Sequence, residues 1–148
     1  MRISAKARYG LAALVHMARY CDKDSNITIS SLAAKLDFSK IYLEQVFSLL
    51  KRGGIVSSVK GAQGGYSLLR QAKEITVYDI LTSIETALFE RTEDTVSEND
   101  MSIDAALKQT VFDVLDESIK RFLSDISLAD VAEAAEGLAD DQSFMYYL

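Results

Sequence analysis

The sequence predicts a mainly α-helical chain with one small β-hairpin, and three observations lead there. Two short helical segments lie about three residues apart, the second ending at Gly53-Gly54. Directly after them, at Ile55, the apolar period changes from that of a helix to that of a strand. Far downstream, Ile103, Leu107, Val111, Val114, Leu115, Ile119, Phe122 and Leu123 recur as a helical stripe within Ser102–Ser124. Two helices, a tight turn and a following hairpin make a winged helix-turn-helix. The chain therefore divides into that domain over residues 1–85 and an acidic helical region over 86–148, with a long dimerisation helix and an aromatic tail.

The first helix is expected from about Ser4 to Cys21, with Leu11, Leu14, Val15 and Ala18 at helical spacing before the polar break Asp22–Asn26. A second, short helix follows Thr28 or Ser30 and carries Leu32, Ala33 and Leu36. Asp37-Phe38 supplies the turn, and Ser39 is an N-cap candidate for a third helix over Lys40–Arg52. The glycines at 53 and 54 suit a left-handed helix stop. Ile55–Val59 and Tyr66–Leu69 read as strands around the glycine-rich turn Lys60–Gly65. Thr76 with Asp79 resembles a capping box and opens a helix through Ile80, Leu81 and Ile84. Glu90–Asp100 is acidic and almost free of apolar residues, the mark of a weakly ordered segment. Ser127–Asp130 should begin a short helix ending near Gly137 and leave the last dozen residues as a separate tail.

Charge is split between the halves. Residues 1–73 carry twelve Lys/Arg against four Asp/Glu, a balance of +8, and residues 74–148 carry four against eighteen, a balance of −14. The net −6 conceals a basic lobe, and a polyanion meets a local surface, so nucleic acid is the partner to weigh. No apolar run reaches the roughly 18 residues of a membrane span, and neither an apolar leader core nor a cleavage site is seen. A single cysteine, Cys21, excludes an internal disulfide framework and fits a reducing cytoplasm. One cysteine and one histidine, His16, cannot build a zinc-finger or thiolate-cluster site within one chain, so no cofactor is expected.

On a wheel of the third helix, Leu43, Val46, Phe47 and Leu50 share one face, which should be buried. Opposite lie Ile41, Gln45, Ser48 and Arg52, flanked by Tyr42 and Glu44. Glutamine can bond adenine at two positions and an isoleucine can touch a thymine methyl, so this face suits a major groove. Lys40, Tyr42 and Ser48 are placed to meet phosphates, which orient a protein without reading sequence, and Ser39 beside them is a further DNA-binding candidate. An ordinary solvated helix face would look much the same, and the wing tilts the balance. Lys60, Gly61 and Gln63 form a small tip bearing one cation, able to enter a narrow minor groove. Arg2, Lys6 and Arg8 add cations at the start of the first helix. Cys21 reads as a half-buried helix-end thiol. Its alternative is a thiol sensor, a role that Arg19 and Lys23 favour and Asp22 and Asp24 oppose. The tail reads as completing the apolar core, as a docking segment for a partner, or as folding back on its own dimer.

Arg2-Ile3-Ser4 with Lys6, then Arg8-Tyr9-Gly10, Tyr42-Leu43-Glu44-Gln45, and Lys60-Gly61 through Gly64-Gly65-Tyr66 resemble the IscR/NsrR/CymR family of bacterial winged-helix regulators. The resemblance runs from Met1 to about Glu85. It implies a homodimer that crosses two long C-terminal helices and grips a double-stranded DNA operator, with Tyr42, Glu44 and Gln45 at base edges or nearby phosphates and Lys60 in the minor groove. Cluster-bearing members carry three cysteines before the long helix, where Arg91–Lys108 of this chain has neither Cys nor His. The likeness is therefore to the cluster-free branch that represses cysteine metabolism, and the aromatic ending Ser143–Leu148 agrees. That branch implies repression of sulfur-uptake and cysteine-synthesis genes, with a cysteine synthase as co-repressor. A rival of another class is a winged-helix adaptor that binds only protein. An enzyme is disfavoured, because no paired carboxylates, nucleophile–base set or cofactor loop stands out.

Overall fold

The computed structural model describes residues 3–21, 25–93, 95 and 101–146. Helix α1 spans Ala5–Tyr20, α2 Ile29–Leu36 and α3 Lys40–Arg52. Each starts at a hydroxyl N-cap: Ser4, Thr28 and Ser39 accept from the amides of Ala7, Ser31 and Tyr42 respectively. Helix α2 stops at Asp37, the one described non-glycine residue with positive φ (55°), whose short side chain tolerates that region. The stop of α3 is a Schellman turn in which the Gly54 amide bonds the Lys51 carbonyl and the Ile55 amide bonds that of Leu50. Gly53 keeps helical φ (−76°), and it is Gly54 that takes the left-handed conformation (φ 72°).

Strands β1 (Val56–Val59) and β2 (Gly65–Leu68) pair antiparallel, Val56 opposite Leu68 and Val59 opposite Gly65. A third strand segment was not legible in the sequence: Ile27 exchanges two backbone hydrogen bonds with Tyr66, at 2.9 and 2.8 Å. Gly65 is required there, because it holds φ 145° and a Cβ would lie 2.7 Å from the Ile27 carbonyl oxygen. A 3₁₀ turn (Ala72–Glu74) leads to α4 (Val77–Ile84), whose Thr76/Asp79 capping box forms as expected. A second 3₁₀ turn covers Thr86–Phe89. Of the acidic stretch Glu90–Asp100, residues 94 and 96–100 lie outside the described residues, and 90–93 and 95 are in neither helix nor strand.

The long helix is present as α5 (Met101–Leu107) and α6 (Asp113–Ser124), joined by a π-helical turn over Lys108–Phe112. Helix α7 corrects the expected short helix and separate tail, because it runs unbroken from Leu128 to Tyr146. Ala132, Ala134, Ala135 and Ala139 favour helix on both sides of Gly137, and one glycine costs only about 1 kcal/mol where no proline follows. The tail does not complete the core either, since Phe144 and Met145 are 77% exposed and Tyr146 91%. Tyr147 and Leu148 lie outside the described residues.

The main core gathers Leu14, Met17, Leu32, Leu43, Phe47 and Leu50 from α1–α3, together with Ile55, Ile80 and Leu128. Leu128 belongs to the acidic half yet is fully buried. It is drawn in by backbone bonds from Val77 N–H to Ile126 (2.9 Å) and from Leu128 N–H to Ile75 (2.8 Å). Ser127 and Asp130 then cap α7 reciprocally, and the Ser127 hydroxyl and amide bonds hold the Asp130 carboxyl below its ordinary pKa. Leu123, Ile126 and Val131 pack on a second cluster of Ala7, Val77 and Leu81.

Candidate nucleic-acid interface

Helix α3 buries Leu43, Val46, Phe47 and Leu50 completely, which turns its opposite face outward. On that face Ile41 is 70% exposed, and Lys40, Glu44, Gln45, Ser48 and Arg52 are exposed beside it. An isoleucine left in water at the start of a helix is costly to hydrate, and a groove-bound methyl contact would remove that cost. Lys6, on the first turn of α1, joins Ile41, Glu44, Gln45, Ser48 and Leu49 around one shallow concavity. Arg8 is exposed two residues further along α1, about 200° round the helix from Lys6, and Arg2 lies outside the described residues. Lys40 and Glu44 approach only to 3.9 Å with both side chains more than half exposed. Such a pair is worth little in water and leaves both groups available.

Two of these residues also serve the fold. The Ser39 hydroxyl caps α3 as expected, 3.4 Å from the Tyr42 amide. Tyr42 is half-buried, its ring edge-on to Tyr9 at 5.2 Å, so it belongs in part to the packing beneath the reading face.

The wing carries Lys60, Gly61 and Gln63, all exposed, with Gly61 at φ 109°. Its tethers were missed by sequence reasoning. Asn26 Nδ2 donates to the Gln63 carbonyl at the tip (3.2 Å), and Lys51 Nζ donates to Ser58 Oγ (2.6 Å), joining α3 to β1. Tyr66 closes the wing onto the core, T-shaped to Phe47 at 5.0 Å. No local pattern marks these groups: Asn26 and Gln63 lie 37 residues apart, and the Lys51–Ser58 bond forms only once the chain turns from α3 into β1. At the root of the wing Arg70 bonds the Glu74 carbonyl (3.0 Å) and Asp79 (3.3 Å), so that cation is already paired.

The stripe assigned to dimerisation faces water in the single chain. Ile103, Val111, Val114, Leu115 and Phe122 are 45–66% exposed, while Leu107 and Ile119 are half-buried. Cys21 is half-buried at the C-cap of α1, its amide bonded to the Met17 carbonyl. Asp22, Lys23 and Asp24, which would tune its thiol, lie outside the described residues. His16 is also half-buried, and its Nε2 has no hydrogen-bond partner among the described residues. Burial, then the charges of Lys35 and Arg19, push its pKa below the ordinary 6.5.

An outward polar helix face, a tethered cationic wing and a helix-turn-helix in one basic lobe define a winged helix-turn-helix transcriptional regulator. The Rrf2 family, described as iron-dependent transcriptional regulators, matches residues 3–134, and the chain belongs to that family. It is 32% identical to the HTH-type transcriptional regulator IscR of Serratia proteamaculans over 145 residues, covering 97% of this chain and 87% of the relative. Among solved structures it resembles T. potens IscR, with TM-score 0.71 and 31% identity, over 99% of this chain and 97% of the other. It also resembles CymR, the global cysteine regulator of B. subtilis, with TM-score 0.70 and 28% identity, over 90% of this chain and 98% of the other. No described helix is long and apolar enough to cross a membrane.

The iron in the family description can be tested against the residues present. The cleft between the loop at 91–93 and the long helix is lined by Arg91, Glu93, Asp104, Lys108, Asp113 and Asp116 among others, with no thiol or imidazole. The only cysteine of the chain stands at the end of α1. A thiolate-held iron–sulfur cluster does not fit this donor set.

Proposed function

We propose that the protein is a cytoplasmic, homodimeric DNA-binding repressor that works without an iron–sulfur cluster and controls genes of cysteine and sulfur metabolism. The observation that carries the DNA reading is the outward face of α3, with Ile41, Glu44, Gln45 and Ser48 exposed around Lys6, in a lobe whose wing presents Lys60. In this reading α3 enters the major groove, where Gln45 and Ile41 meet base edges. Lys6, Arg8, Lys40 and Arg52 neutralise phosphates, and Lys60 enters the adjoining minor groove.

The exposed stripe Val111, Val114, Leu115 and Phe122 supports dimerisation, since a partner's helix would cover it. A cavity of about 610 Å³ beside α6, walled by Leu11, Val77, Leu81, Phe89 and Leu123 among others, offers a partner's helix a seat. Two-fold symmetry then requires a two-fold operator. The acidic half repels the duplex and so directs the basic lobe toward it. The cysteine-metabolism reading draws on the likeness to B. subtilis CymR and on the missing cluster ligands. A cysteine synthase is the co-repressor in that scheme, with the exposed Phe144, Met145 and Tyr146 as its docking end.

Mapping bound sites across the source genome tests the whole reading. Occupancy upstream of sulfur-assimilation genes is expected, with affinity that falls steeply with salt. Occupancy elsewhere would discard the pathway, and absence of salt-dependent duplex binding would leave the protein-only adaptor. Sedimentation should give a dimer, and protein purified without oxygen should be colourless and free of iron. A charge-transfer spectrum would end the cluster-free reading.

A further inference from the structure

We infer that Tyr9 is a positioning residue for the reading face, acting through Phe38 and Tyr42. This rests on the DNA-binding reading of α3. The Tyr9 ring, on α1, stacks on Phe38 at 4.3 Å and 13°, and stands edge-on to Tyr42 at 5.2 Å and 77°. Both are favourable geometries for aromatic quadrupoles. The three rings come from α1, from the turn before α3 and from the first turn of α3.

The two ends of α3 are held by different means. Its C-terminal half is fixed by fully buried Val46, Phe47 and Leu50 and by the Schellman turn. Its first turn buries only Leu43, and there the Ser39 cap bond is a long 3.4 Å. That turn and the next carry Ile41, Glu44 and Gln45, the side chains that face outward. The aromatic stack therefore sets how the N-terminal end of α3 stands relative to α1. Because Lys6 and Arg8 stand within the turn of α1 that precedes Tyr9, the same contact sets the spacing between the α1 cations and the α3 readers. Base recognition depends on short, directed hydrogen bonds, whereas phosphate attraction tolerates small displacements. Loosening the stack should therefore reduce discrimination between sequences and leave general DNA affinity in place.

The experiment uses the full chain and duplexes selected by the unaltered protein from a randomised pool, beside a random duplex, each at two salt concentrations. Tyr9→Leu should lose about ten- to hundredfold on the selected duplex. On random duplex it should stay within about twofold, with the salt slope unchanged. Tyr9→Phe keeps the stack and should bind like the parent. Hydrogen exchange in Tyr9→Leu should quicken at the amides of Leu43, Glu44 and Gln45 but not at Leu50. Full selected-duplex affinity in Tyr9→Leu, an equal loss on both duplexes, or an equal loss in Tyr9→Phe would overturn the inference, the last by showing a hydroxyl contact instead. Should Tyr9→Leu not fold, Phe38→Leu removes the same stack and is held to the same outcomes. Failure of the unaltered protein to select any duplex would count against the DNA reading itself, and the exchange pattern would still report whether the rings hold the first turn.

Discussion

Replacing Lys60 by alanine isolates the wing. Lys60 is exposed directly after β1, and among the described residues it makes no ion pair, so its removal leaves no buried partner behind. The tip keeps its shape through the Asn26–Gln63 bond and the Ile27–Tyr66 bridge, neither of which uses the lysine side chain. The loss is then one phosphate-range cation per subunit. Each neutralised phosphate contributes about −0.9 to the slope of log K against log salt, so a dimer that loses both wings should flatten its slope by about 1.8. Over a fourfold change in salt, from about 50 to 200 mM, the binding penalty should shrink by about twelvefold. A single engaged wing would give only about 3.5-fold, so the number also reports how many wings touch the duplex. Fluorescence anisotropy on one operator duplex across that salt range provides the measurement. A slope equal to that of the parent would refute the placement of the wing in the complex, whatever the affinity at one salt.

Three further outcomes are expected. Gln45→Ala should cost about 1–3 kcal/mol on the operator and little on random DNA, measured by competition binding, and an equal cost on both would reassign Gln45 to the backbone. Leu128→Ala removes a fully buried side chain of the main core and should cost about 2–5 kcal/mol, seen as one cooperative calorimetric transition shifted downward. A loss below about 1 kcal/mol would mean that α7 does not stabilise the N-terminal fold. His16 holds a pKa below 6.5, so the unfolded chain takes up its proton first on acidification. Stability should be unaffected by His16 above about pH 6.5 and should decline as pH drops through and below it, and His16→Gln should remove that part of the decline in denaturant titrations.

The helix-turn-helix and the hairpin were legible because their signals are local. Ser4, Thr28, Ser39 and Thr76 stand one residue before their helices and cap them with their own hydroxyls, and the buried stripe of α3 follows from its period alone. The outward set Ile41, Glu44, Gln45 and Ser48 comes from the same period, since burying one side of a helix exposes the other. The end of α7 departs from the sequence pattern for a physical reason. A left-handed glycine stop needs bonds that close back on the helix, and Gly137 sits in an alanine-rich run that simply continues.

Chain order by itself determined the helices and the hairpin up to α4, the Ser39 and Thr76 caps, and which face of α3 meets solvent, because those depend on neighbours within about one helical turn. Tertiary structure alone decided the rest. The Ile27–Tyr66 bridge, the Asn26 tether of the wing, the Tyr9–Phe38–Tyr42 stack and the burial of Leu128 in the main core all join residues far apart in the chain. Such contacts have no period to betray them. They form only where packing has already closed the intervening loops, and their specificity lies in geometry that composition does not encode.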